Sequence, residues 1–132
     1  MPEPRLLLDT DVLIDYLRGE PEAIAYLEDR TETLMLSAIT VAELFAGVRE
    51  GEERRTLDSF VRVFEIVAVS PQIAERGGLI RRDYGGSYNT GLADALIAAT
   101  AEHERASLVT LNGKHFPMLE DVVAPYRKAS GK

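Results

Sequence analysis

Apolar residues follow two patterns along the chain: short continuous runs, and longer stretches in which they recur every three or four positions. The first pattern predicts buried strands, and the second predicts helices with one apolar face. The predicted strands cover 5–9, 33–37, 65–69 and 107–111, with a weak fifth at 122–123. The predicted helices cover about 12–18, 21–29, 41–47, 52–64, 71–84 and 91–104. Because strands and helices alternate, we expect an α/β fold with a mainly parallel sheet of four to five strands flanked by helices.

Residues typical of helix starts support these boundaries. Ser70 followed by Pro71 is a cap and first-turn pair, and Thr90 is the predicted cap of the last helix. No repeat, linker or low-complexity segment interrupts the pattern. We therefore expect a single domain over residues 1–132, with a frayed tail at about 128–132.

Composition narrows the setting in which the protein works. The chain has no cysteine, which excludes a disulfide framework or a thiolate metal site and favours a reducing cytoplasm. It has no secretory signal pattern and no apolar window of the ~20 residues that a membrane span needs, so a soluble cytoplasmic protein is expected. The formal net charge of −7 argues against general electrostatic binding of nucleic acid. It does not exclude a nuclease, because bound metal ions invert the local field.

Three carboxylates stand apart from the other charges. Asp9 ends the leucine run of the first strand, and Glu43 and Asp94 are each the only charge in a long apolar stretch. Burying an unpaired carboxylate costs several kcal/mol. The carboxyl ends of parallel strands line one edge of an open sheet, so we expect these acids to meet there, with Asn112 after the fourth strand. A cluster of hard oxygen ligands favours Mg²⁺ or Mn²⁺.

Each acid also has a local structural explanation. Thr40 and Glu43 have the spacing of a capping box, Asp94 near a helix start is favoured by the helix dipole, and Asp9 can cap the first helix. These explanations are independent of one another. A single metal site accounts for all three acids at once and is the preferred interpretation.

Other polar residues near this edge have weaker assignments. Asp11 is interpreted as a helix cap, a neighbour of the metal ligands or a ligand through water, and Asp15 is expected to face solvent beside Arg18. His115 is expected to be a surface or loop residue and His103 a solvated helix residue, because neither has a partner at zinc-ligand spacing.

Three segments resemble the motifs of PIN-domain ribonucleases, specifically the VapC-type toxins of toxin–antitoxin pairs. They are LLDTDVLID at 7–15, SAITVAEL at 37–44 and LADALIAATA at 92–101, and they occur in the family's order. The resemblance covers nearly the whole chain and implies a Rossmann-like, three-layer PIN domain. It implies that Asp9, Glu43 and Asp94 are catalytic acids that bind Mg²⁺ or Mn²⁺. The secondary candidates for the site are Asn112, Asp11, Thr10 and Thr110.

The chain departs from the family pattern after 108–110. Many relatives place a further aspartate in the next few residues, whereas this chain has Asn112 and then His115. Asn112 can ligate through its carbonyl oxygen or position a water, but it brings no negative charge. The departure argues against a tightly held second metal.

The activity that the resemblance implies is hydrolysis of RNA phosphodiester bonds by a metal-dependent endoribonuclease toxin. Glu43 and Asp9 are both candidates to accept the proton of the attacking water, and single-stranded or looped RNA is the expected substrate. The implied partner is a small DNA-binding antitoxin of the VapB type. A symmetric homodimer and a higher assembly with the antitoxin are also expected.

Two alternatives compete with this interpretation. The segment at 8–11 also resembles the start of haloacid-dehalogenase-like phosphatases, with Asp9 as nucleophile, but the sequence continues directly into a helix rather than into that family's small-residue turn. The other alternative is a non-catalytic PIN domain that only binds an antitoxin. Acids at all three motif positions favour the nuclease.

Overall fold

The computed structural model describes residues 4–127, and these form a parallel sheet with helices on both faces. The strands are β1 (Arg5–Leu8), β2 (Thr33–Ser37), β3 (Glu65–Val67), β4 (Ser107–Val109) and β5 (Val122–Val123). The helices are α1 (Thr10–Leu17), α2 (Pro21–Glu28), α3 (Ala38–Ala46), α4 (Glu52–Val61), α5 (Pro71–Tyr84) and α6 (Leu92–Glu104), with a 3₁₀ turn at Gly113–His115. The predicted α/β class and parallel sheet are confirmed. The expected frayed tail at 128–132 lies outside the described residues.

The sheet divides the core into two apolar clusters. Successive side chains of a strand point to opposite faces, so Leu7 of β1 lies in one cluster while Leu6 and Leu8 lie in the other. The Leu7 face is covered by α5 and α6, and the opposite face is covered mainly by α1, α2, α3 and α4. This is the three-layer arrangement expected from the sequence. Among residues 4–127, no helix combines the length and apolar character needed to cross a membrane.

The strand order is β3-β2-β1-β4-β5, and every pair is parallel. From β1 the chain builds the sheet outward through β2 and β3, and it then crosses to the other side of β1 to form β4 and β5. The direction of winding therefore changes between β1 and β4. In open α/β sheets, ligands bind outside the carboxyl ends of the strands at such a switch point.

Two helices begin differently from the prediction. Ser37, not Thr40, caps α3, and its Oγ accepts a hydrogen bond from the backbone N–H of Ile39 at 3.0 Å. The capping-box explanation of Glu43 is therefore wrong. Gly91 occupies the cap position of α6 and gives no side-chain hydrogen bond, so the expected role of Thr90 as that cap is wrong as well.

Candidate active site

Asp9 lies at the switch point, directly after β1 and at the N-cap of α1. Its side chain is buried, with 6% of its surface exposed. Oδ1 accepts a hydrogen bond from the backbone N–H of Thr10 at 2.8 Å, and Oδ2 accepts one from the Thr110 hydroxyl at 2.7 Å. The backbone N–H of Asp9 donates to the Val109 carbonyl at 2.9 Å. The carboxylate is thus fixed between the ends of the two strands that flank the switch point.

The surroundings of Asp9 disfavour its charged form. Burial is the largest cause, the Asp11 carboxylate adds to it and Asp94 contributes less, and together they raise the pKa of Asp9 from 3.8 to about 7. The hydrogen bonds from Thr110 and Thr10 lower this pKa but do not offset the rise. Asp11 and Asp94 are therefore each close enough to Asp9 to repel its carboxylate.

Glu43 reaches the same edge from α3, but it is not buried. Its side chain is exposed, contrary to the expectation drawn from its apolar stretch, and Asp94 is only half-buried. Glu43 Oε1 accepts a hydrogen bond from the Thr10 hydroxyl at 2.5 Å, and Thr10 Oγ1 lies 3.2 Å from Thr40 Oγ1. Thr10 therefore links the two acids: its hydroxyl donates to Glu43, and its backbone N–H donates to Asp9.

Asp11 holds the segment that follows β4. Its Oδ2 accepts hydrogen bonds from the Leu111 backbone N–H at 3.1 Å and from the Asn112 side-chain Nδ2 at 3.1 Å, and it lies 3.4 Å from the Thr110 hydroxyl. Asn112 was expected as a ligand through its carbonyl oxygen or as a water-positioning group. In the structure it is a donor to Asp11, so it stabilises a neighbouring acid.

Asp94 lies in the first turn of α6, where the helix dipole favours a carboxylate. Its nearest charged or ionisable neighbour on the 3₁₀ turn is His115, whose Nδ1 lies 3.5 Å from Asp94 Oδ2. His115 lies in this turn and is partly exposed, as expected of a surface or loop residue, but its imidazole also faces the acid of α6. Asn112 was placed at the functional edge because it follows the end of a strand. The same reasoning, extended by three residues, would have included His115. His103 is exposed, as expected.

Asp15 does not face solvent beside Arg18, so that expectation is wrong. Only 3% of its surface is exposed, and its Oδ2 accepts a hydrogen bond from the Tyr126 hydroxyl at 3.0 Å. Burial and the Asp15 carboxylate raise the pKa of Tyr126, so its hydroxyl remains a donor. This contact ties the C-terminal end of the described chain to α1.

The donor set at this edge consists of carboxylate and hydroxyl oxygens with one imidazole, which is chemistry suited to a divalent cation. The surroundings of Asp9 also fit a cationic ligand, because a positive charge there would favour its charged form and oppose the effects of burial and of the neighbouring acids on its pKa. In the described part of the chain, no three His, Cys, Asp or Glu side chains are already arranged to hold an ion.

Comparison with known proteins agrees with this geometry. The sequence profile of the PIN domain family matches residues 6–120. Ribonuclease VapC19 of Mycobacterium tuberculosis is 41% identical over 125 residues, which cover 91% of this chain and 98% of that protein. A toxin–antitoxin complex from Klebsiella pneumoniae contains a chain with a TM-score of 0.80 and 34% identity, covering 92% of this chain and 98% of that one.

A third relative was solved with its partner and with nucleic acid. It is VapBC2 from Rickettsia felis, bound to a DNA fragment from the promoter of the two proteins. Its matching chain has a TM-score of 0.71 and 26% identity, with 90% of this chain and 96% of that chain covered. The family match over most of the chain, the relative at 41% identity and the shared fold lead to one assignment: this chain belongs to the PIN-domain family and is a VapC-type member of it.

Proposed function

We propose that this protein is a metal-dependent endoribonuclease toxin that hydrolyses RNA phosphodiester bonds at the Asp9 edge of its sheet. The observation that carries the proposal is the buried Asp9 carboxylate, held between β1 and β4 beside Asp11 and Asp94. Membership of the VapC branch supports it, since the relative at 41% identity is named a ribonuclease. No support remains for the phosphatase alternative, which rested on four residues alone.

Asp9, Asp94 and Glu43 are the residues that would hold Mg²⁺ or Mn²⁺. When bound, such a cation lowers the pKa of a coordinated water and neutralises charge on the scissile phosphate. Thr10 and Thr110 fix the two oxygens of Asp9, which keeps the carboxylate in one rotamer. Glu43 is exposed and accepts a short hydrogen bond, so it is well placed to take the proton of an attacking water.

Single-stranded or looped RNA is the proposed substrate class. The chain has a net charge of −7, which gives little general attraction for a long duplex. In single strands the bases and the backbone are accessible, whereas an A-form duplex hides its base edges in a deep groove. Recognition then depends on local contacts around the acidic edge.

Mapping of RNA 5′ ends tests the proposed activity in cells. We expect induced expression of the wild-type chain to create new 5′ ends at one or a few sites, because one fixed carboxylate site cuts where an exposed strand fits it. Expression of Asp94→Asn, which removes a charge while keeping the side-chain shape, should create none. Identical sets of new ends from the two proteins would refute the role of Asp94. No new ends from the wild type would refute the nuclease and leave the antitoxin-binding module as the remaining alternative.

A VapB-type antitoxin is the proposed partner, and the relatives solved as toxin–antitoxin complexes support it. A groove of about 580 Å³ lies between α1, α3 and α4. Its apolar lining is Ile14, Leu17, Leu44, Val48 and Leu57, and Glu43 also lines it.

Glu43 is available to a cationic side chain of the partner. It has no ion pair among the described residues, whereas Arg49 and Glu53, which line the same groove, pair with each other at 3.2 Å. We propose that an apolar antitoxin helix fills the groove and that an Arg or Lys from it reaches Glu43 and Asp9.

Leu17→Glu tests the groove, because Leu17 is 39% exposed and lines it. A buried charge opposite an apolar helix should raise the dissociation constant of the complex with the antitoxin about 10-fold or more, which corresponds to ~1.4 kcal/mol. Calorimetry measures this constant. Val63→Glu is the matched control, since Val63 is 77% exposed and does not line the groove. Equal affinities for both variants would place the partner elsewhere.

A wild-type complex that cleaves RNA as fast as the free chain would refute inhibition by the antitoxin. The homodimer expected from the sequence stays a prediction.

A further inference from the structure

His115 is held more firmly than an exposed turn requires. Its backbone N–H donates to the Asn112 carbonyl at 3.0 Å, and its own carbonyl accepts a hydrogen bond from the Thr90 hydroxyl at 2.9 Å. The next residue, Phe116, is buried in the core at 1% exposure. The backbone of His115 is thus anchored on both sides, which leaves its imidazole in a defined place beside Asp94.

Thr90 makes this contact at the expense of a helix cap. It lies one residue before the cap position of α6, and threonine is a good capping residue, yet α6 has no side-chain cap. The Thr90 hydroxyl is buried at 1% exposure and donates to His115 instead. Because α6 also carries Asp94, this bond fixes the 3₁₀ turn relative to the helix that presents the acid.

The side chains of His115 and Asp94 are close, but they do not form a short hydrogen bond. His115 Nδ1 lies 3.5 Å from Asp94 Oδ2. This is longer than the 2.7–3.2 Å typical of an N–H···O hydrogen bond. Two ligands of one ion, each bonded at about 2.0–2.1 Å, lie about 2.9 Å apart at octahedral angles and about 3.4 Å apart at tetrahedral angles. The two side chains therefore face the same space without a short hydrogen bond, at a spacing close to that of two tetrahedral ligands.

We infer that His115 Nδ1 is a nitrogen ligand of the cation that Asp94 helps to hold, so that the site prefers transition metals such as Mn²⁺ or Zn²⁺ to Mg²⁺. The inference rests on the proposed metal dependence and adds a ligand to it. Imidazole binds first-row transition ions well, whereas Mg²⁺ is held mainly by oxygen. A site built only from Asp9, Glu43 and Asp94 would have a weaker preference.

Nitrogen chemical shifts test the ligand directly, because the chain has only two histidines. Long-range proton–nitrogen NMR spectra of the full chain would be recorded without metal and with one equivalent of Zn²⁺, a diamagnetic probe. We expect Nδ1 of His115 to take the shift of a metal-bound nitrogen, while both nitrogens of His103 keep theirs. His115→Gln and His103→Gln assign the signals. An unchanged His115 shift in a chain that has bound Zn²⁺ overturns the inference.

Metal affinities separate a ligand from a merely structural residue. In His115→Gln we expect the Zn²⁺ and Mn²⁺ dissociation constants to rise about 10-fold or more, with the Mg²⁺ constant changing less than about 2-fold. The matched variant His103→Gln should change none of them. Thr90→Val removes the donor to the His115 carbonyl, so it should also weaken Zn²⁺ and Mn²⁺ binding relative to Mg²⁺ binding, but by less than His115→Gln does. Thr90→Ser keeps the hydroxyl donor and should keep the wild-type selectivity.

A parallel loss of affinity for all three ions in His115→Gln would mean that the residue only supports the fold, and it would overturn the inference. A wild-type chain that binds none of the three ions overturns both this inference and the proposed metal dependence. If the wild type binds the ions and His115→Gln binds them with the same selectivity, this inference alone is overturned.

Discussion

Asp9→Asn is expected to lower RNA cleavage by more than about 100-fold, beyond the 10-fold to 100-fold typical of residues that only support metal ligands. The substitution removes the buried negative charge but keeps the shape. The amide oxygen can still accept from the Thr10 N–H, and the Thr110 hydroxyl can rotate to accept from the amide nitrogen. The loss would therefore report charge rather than misfolding. Initial rates on a mapped RNA substrate, after EDTA treatment and readdition of Mg²⁺ or Mn²⁺, measure it.

Asp15→Asn is the matched control for this variant. It makes the same chemical change nearly two turns further along, in α1, where the Tyr126 hydroxyl can still donate to the new amide oxygen. Because the amide oxygen of the variant still accepts the Tyr126 hydrogen bond, this variant should cleave at close to the wild-type rate. Wild-type cleavage by Asp9→Asn would refute the assignment of Asp9. An equal loss in both variants would point to damage to α1 instead.

Local patterns in the sequence were sufficient for the sheet and for the end of β1. The leucine run before Asp9 and the alternation of strands with helices predict the three-layer fold. The carboxyl ends of parallel strands share one edge, which led to the prediction that Asp9, Glu43, Asp94 and Asn112 lie there. The start of α3 was misplaced because Ser37 and Thr40 are both good capping residues, and the structure uses Ser37. β3 and β4 each end two residues before the prediction.

The remaining errors come from contacts between distant parts of the chain. Asp15 is buried because Tyr126 donates to it from 111 positions away, which no local pattern reveals. Thr90 likewise bonds the His115 carbonyl across 25 positions instead of capping its own helix. Glu43 is exposed despite its apolar stretch, because α3 turns one side toward solvent at that point. Sequence identified the acids of the candidate site but not the contacts that position them.

The free energy of unfolding of the metal-free protein is expected to fall as the pH rises from about 4 to about 7. Asp9 has a pKa of about 7 when folded and an ordinary value of 3.8. Between these values the folded state binds more protons at Asp9 than the unfolded state does, so raising the pH favours unfolding. The contribution is fully present below about pH 4 and is lost as the pH passes through about 7. A shift of this size corresponds to at most about 4 kcal/mol.

Asp9→Asn isolates this contribution, because its amide does not titrate while every other group stays the same. Urea unfolding in EDTA at several pH values from about 5 to 8 should give stability curves for the wild type and the variant that diverge, with the variant more stable at the upper end. Saturating Mn²⁺ should close the gap at about pH 8 by binding only the folded wild type. Parallel curves without metal would show that Asp9 is not strained by burial and by its neighbours Asp11 and Asp94. The physical argument for a cation at this edge would then fail, since no repulsion would remain for the ion to relieve.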